Sequence, residues 1–135
     1  MALPLLITNN RLCAEAFASC SSCLFDENWR YGQVLLTARD FIHQGYQLLG
    51  HPQYGSIKPN QTPYRSLLLT AASQDGQGPF DSMLLIEQAL AAYEKFQNAY
   101  LTPLWSEEVL EDFRTIDLSL VQSVFDRPQF SALYR

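Results

Sequence analysis

The fold turns on residues 4–10, Pro4-Leu5-Leu6-Ile7-Thr8-Asn9-Asn10. A short apolar run stopped by two asparagines reads as a buried strand running into a helix. Asparagine at the cap accepts a backbone N–H that the first helical turn cannot satisfy itself. A short helix over 11–18 follows, with Leu12, Ala16 and Phe17 inward. Further along, Cys23-Leu24-Phe25 is a second strand, and Asp26, Glu27 and Asn28 offer caps for the next helix. From Tyr31 to Gln44, Val34, Leu35, Ala38, Phe41 and Ile42 form one apolar face, and Gly45 is the stop.

Tyr46–Gly50 reads as a third strand and Tyr64–Ala71 as a fourth, separated by a loop from His51 to Pro63. Asp81 caps a helix to about Tyr100, with Ile86, Ala89, Leu90, Tyr93, Phe96 and Tyr100 as its stripe. Pro103 interrupts, and Ser106 caps a last helical segment with Glu107 and Glu108 in its first turn. There Val109, Phe113, Ile116, Leu120 and Val124 are expected inward, and Asp117 is a candidate break. The order β-α-β-α-β-β-α-α predicts one α/β domain over residues 1–135. The expected architecture has three layers: a short, mostly parallel sheet of about four strands, helices on its faces, and an extra C-terminal helix pair.

Composition narrows the function classes. With 135 residues and 47% hydrophobic content, the chain can build a core without disulfides or metals. Residues 1–65 carry five basic and four acidic side chains, whereas residues 66–135 carry four basic and ten acidic, so the net −5 sits in the second half. Phosphate neutralisation needs clustered Lys and Arg, which argues against nucleic acid as a partner. Met1–Ile7 is too short for a signal peptide or a membrane span, and three cysteines do not suit a secreted disulfide framework. The expectation is a cytoplasmic protein with no membrane partner.

The 51–64 loop is the unusual segment. Gly55 and three prolines, Pro52, Pro59 and Pro63, stiffen it around His51, Ser56, Lys58, Asn60 and Thr62. Polar groups held at low entropic cost are what a preorganised site requires. If the first and third strands run the same way, Thr8, Asn9 and Asn10 open on the edge where His51 lies, the edge that α/β ligands favour. The binding candidates are therefore Thr8, Asn9, Asn10, His51, Ser56, Lys58, Asn60 and Thr62. A small carboxylate or phosphate suits them. An ordinary punctuated loop accounts for the same residues.

Gly50-His51-Pro52-x-x-Gly55-Ser56-Ile57-Lys58-Pro59-Asn60-x-Thr62-Pro63-Tyr64-x-Ser66 resembles the GrdX family, as do Arg39-Asp40-Phe41-Ile42-His43-x-Gly45 and Leu6-Ile7-Thr8-Asn9-Asn10. The resemblance implies an accessory role beside glycine, sarcosine or betaine reductase, and no established catalytic residues. A small anionic metabolite or a reductase component is the partner it suggests at the loop. An enzyme is the alternative, with Lys58 holding the anion, His51 as general acid or base and Tyr64 orienting the substrate. A third reading is a structural partner that docks through the acidic C-terminal helices, and self-association into a homo-oligomer stays open.

Cys20-Ser21-Ser22-Cys23 precedes a strand rather than opening a helix, so it reads as buried or half-buried thiols, with Cys23 expected inside. Zinc would need His43 or His51 as a fourth ligand, and no metal or other cofactor is expected. Glu107, Glu108, Glu111 and Asp112 read as a solvated face.

Overall fold

The computed structural model describes residues 3–52, 58–71 and 78–127, with side chains in the last stretch from residue 81. Its elements are β1 (Leu5–Thr8), α1 (Arg11–Ala16), β2 (Ser22–Phe25), α2 (Tyr31–His43), β3 (Gln47–Leu48), β4 (Ser66–Thr70), α3 (Gly78–Ala99) and α4 (Glu107–Phe125). Asn10 is the N-cap of α1, its side chain accepting the Leu12 N–H. Gly45 follows α2 at φ 107°, a left-handed conformation that costs glycine nothing. Ser106 caps α4 by accepting the Val109 N–H.

The four strands form one sheet in the order β2-β1-β4-β3. β1 and β2 are parallel, joined through α1, whereas β4 pairs antiparallel with both β1 and β3. The sheet is thus mixed rather than mostly parallel. Among the described residues no helix separates β3 from β4, and neighbouring strands joined without a helical crossover run antiparallel. β1, β2 and β3 still point the same way, with β4 inserted between them.

Alternation along β1 and β4 makes the three layers. Ile7, Leu67 and Leu69 face α2 and α3, against Tyr31, Val34, Leu35, Ala38, Ile42, Ile86 and Ala89. Leu6 and Leu68 face the other way, against Cys13 and Phe17 of the α1 region and Val121 and Val124 of α4. The C-terminal helices therefore divide between the faces, α3 along α2 and α4 along α1. Each fully buried Leu or Ile contributes about 1.5–3 kcal/mol. Gly32 lets α2 approach α3, since a Cβ there would lie 2.6 Å from Tyr93 Cε2.

Other expectations change as well. The N-cap of α2 is Arg30 rather than Asp26, Glu27 or Asn28, and α3 starts at Gly78, which puts Asp81 inside its first turn. Tyr100, expected in the buried stripe of α3, lies beyond the helix end and is exposed. β2 is an edge strand and all four of its residues are exposed, Cys23 included. Next, α4 is one unbroken helix in which Asp117 is buried, and its inward stripe is Arg114, Asp117, Val121 and Val124. Ile116, expected inside, is 40% exposed. No helix among the described residues is long and apolar enough to cross a membrane.

Candidate functional site

The end of β1 is where the two halves of the fold meet. After β1 the chain enters α1 on one face, and after β2 it enters α2 on the other. Adjacent parallel strands whose helices leave to opposite faces open a crevice at their carboxyl ends, the favoured ligand position in α/β sheets. A cleft of about 230 Å³ lies there, lined by Asn9 and Arg11 after β1, Glu27 after β2, Tyr64 before β4, and Glu107 and Arg114 of α4.

Asn9 builds the wall of this cleft. Its amide donates to the Trp29 carbonyl at 2.9 Å and the Pro63 carbonyl at 2.8 Å, and its oxygen accepts the Arg65 N–H at 3.0 Å. One side chain thus ties the β2–α2 turn and the segment leading into β4 to the end of β1. Beneath it, Asn10 N–H donates to Thr8 Oγ1 at 2.9 Å, and Thr8 and Ser66 share a 2.6 Å hydroxyl contact. Ser66 donates to Asp117 Oδ2 at 2.6 Å, so Thr8 is the donor to Ser66. Asn10 also donates to Asp117 Oδ2 at 3.0 Å and to the Arg114 carbonyl at 2.9 Å, which locks α4 onto β1. Arg65 lies 3.6 Å from Asp117 Oδ1, with both side chains about 95% buried. Burial pushes the Cys13 thiol far up, and the neighbouring Asp117 charge adds to it.

Arg114 forms the floor of the cleft. Its side chain is 9% exposed, donates to Tyr64 Oη at 2.6 Å and to Glu111 at 2.8 and 3.0 Å, and also pairs with Glu107. Burial alone would lower its pKa, but the bonds to Glu111 and Glu107 outweigh it and raise the guanidinium further. The acidic face of α4 is therefore partly neutralised from within. Arg11 and Glu27 face each other at 4.0 Å across the mouth, with side chains 57% and 60% exposed.

Residues 5–126 match the model of the GrdX-like protein family. The chain belongs to that family. Neither the curated proteins nor the solved structures give a match. The GrdX-like family is associated with glycine-reductase-type systems.

Within this GrdX-like chain the sequence candidates separate into three places. Asn9 and Tyr64 line the cleft, and Thr8 and Asn10 are fully buried behind it. Asn60 donates to the Tyr100 carbonyl at 3.2 Å and Thr62 accepts the Tyr64 N–H at 3.1 Å, so both shape the loop. Lys58 is exposed with its amine 5.8 Å from the Phe96 ring centre, and His51 is exposed; neither lines the cleft. Ser56 and residues 53–57 lie outside the described residues.

Arg11, Glu27, Arg65, Ser66, Glu107, Arg114 and Asp117 stand at the cleft or behind it, and none of them is a site candidate by sequence. A signal was present for Asp117: a lone acid between Ile116 and Leu118 in an otherwise amphipathic run. Cys20 and Cys23 are exposed free thiols whose pKa values partial burial raises, unlike an activated pair. Among the described residues, no group of three or more His, Cys, Asp and Glu side chains could hold a metal ion.

Proposed function

We propose that this GrdX-like protein is an accessory binding protein of a glycine-reductase-type system, and that it holds a small charged metabolite in the cleft between the ends of β1 and β2. The observation that carries this reading is the position of the cleft at the switch between the two helix layers, with a buried arginine in its floor. The loop identified from sequence contributes through Tyr64 and through the Pro63 carbonyl bound by Asn9. Binding rather than turnover is favoured because both glutamates and the tyrosine of the lining are engaged with its arginines, which leaves no nucleophile paired with a base there.

A thermal-shift screen with glycine, betaine, phosphate and acetyl phosphate tests it on the wild type, Arg11→Ala and Lys58→Ala. A ligand at 100 times its dissociation constant adds about 2.7 kcal/mol. The expected outcome is a stabilising compound whose effect is lost in Arg11→Ala and kept in Lys58→Ala. The reverse pattern moves the site to the loop, and a blank screen sinks the reading.

A second reading, docking onto a reductase component, is favoured by Tyr100, Leu101 and Leu104, which are 77%, 79% and 104% exposed between α3 and α4. Grouped exposed apolar side chains mark protein contacts. Leu101→Ser with Leu104→Ser should abolish co-sedimentation with reductase components while leaving the melting temperature in place; unchanged co-sedimentation rejects this surface.

A further inference from the structure

The charges around the cleft specify more than a small charged ligand. Two of its six lining residues are basic and two acidic, Arg11 and Arg114 against Glu27 and Glu107, so their formal charges sum to zero. A simple anion entering this space meets two carboxylates as well as two guanidinium groups, and a simple cation meets the opposite pairing. Attraction and repulsion then largely offset each other for a ligand of one sign. A ligand carrying both signs gains at both ends.

The two ion pairs differ in how easily a ligand replaces them. Arg114 is fixed by Glu111 and by Tyr64 Oη, so its guanidinium stays in place when Glu107 turns away. Glu107 itself is 77% exposed, in the first turn of α4. Arg11 and Glu27 stand at the limit of ion-pair distance, with both side chains more than half exposed. Exposed pairs of that kind hold each other weakly and give way to a better-placed partner.

Resting on the cleft reading above, we infer that the ligand is a small zwitterion. Its carboxylate lies toward Arg11 and the Arg114–Tyr64 floor, and its ammonium lies toward Glu27 and Glu107. A volume of about 230 Å³ accommodates a molecule with the two charges a few bonds apart.

Calorimetric titration at low salt with glycine, 4-aminobutyrate, acetate and methylammonium tests this. Glycine or 4-aminobutyrate is expected to bind at least tenfold more tightly than either singly charged probe. Two surface variants then reverse the preference. Glu27→Gln should weaken the zwitterion and admit acetate, and Arg11→Gln should weaken it and admit methylammonium. Acetate binding the wild type as tightly as the zwitterions overturns the inference and leaves the metabolite-binding reading standing. Failure of all four probes also overturns it, and the broader reading falls with it only when phosphate and acetyl phosphate fail too.

Discussion

Leu6 and Ile7 are neighbours in β1, yet they look onto different interiors. Below Ile7, the space against α2 and α3 is filled by hydrocarbon and rings, among them Val34, Leu35, Ile42, Leu67, Leu69 and Ile86. Below Leu6, a smaller apolar set gives way at the strand end to Thr8, Ser66, Asn10 and Asp117. The first interior accepts many arrangements of similar volume. The second is satisfied only in one, because its hydroxyls and amide are bonded to one another and to Asp117 in a connected network whose partners sit on three different elements. The polar interior also sits directly behind the cleft, so the face that specifies how α4 docks is the face that positions Arg114.

The contrast is open to direct attack. The largest effect is expected from Asp117→Ala, which leaves Arg65 buried without its carboxylate and removes the acceptor for Ser66 and Asn10. Unmatching a buried pair costs about 3–5 kcal/mol. Urea denaturation should show that loss, and a change below about 1 kcal/mol would mean the polar seam does not hold α4.

On the hydrocarbon face, Leu69→Ala should cost about 2–5 kcal/mol through a cavity that the surrounding side chains only partly close. Leu69→Met at the same position should cost less than about 1.5 kcal/mol, reflecting the tolerance of that interior. Equal losses for both variants would erase the distinction between the faces.

Ser66→Ala interrupts the chain from Thr8 to Asp117 and is expected to cost about 1–3 kcal/mol. The readout that separates the faces is amide exchange: the loss of protection should concentrate in α1 and α4 and spare α2.

The smallest effect concerns pH. The Cys13 thiol is raised in the folded state, so the folded protein keeps a proton that the unfolded chain releases in alkali. Its contribution is complete at neutral pH and falls as pH rises above the ordinary thiol range, by at most about 1.4 kcal/mol per pH unit. Cys13→Ala should flatten the alkaline limb of the stability curve. Thiol labelling of the native protein should modify Cys20 and Cys23 and reach Cys13 only on unfolding.

Much of the scaffold was legible locally. Asn10, Gly45 and Ser106 act within a few residues of themselves, and each performs the capping or stopping role its chemistry suggests. The period of α2 located its buried face, because Val34, Leu35, Ala38 and Ile42 recur at helical spacing, whereas Leu36, equally apolar, falls off that stripe and is exposed. The same rule failed in α4. It assigns charged residues to solvent, and here Arg114 and Asp117 are the inward ones. Rigidity and polarity drew the candidate site toward the 51–64 loop, and Tyr64 at its end does reach the cleft.

The sequence by itself determined the order of strands and helices, the caps of α1 and α4, the three-layer class and the resemblance to the GrdX family. Those depend on spacings of a few residues and on motifs read in a line. Tertiary structure alone decided that β4 enters antiparallel between β1 and β3, that Asn9 fastens three segments, and that α4 turns its charges inward. Asn10 and Asp117 are separated by 107 positions, and no local preference of either residue names the other. Only strand register and the docking of α4 bring them within 3.0 Å, and the cleft above them exists because of that meeting.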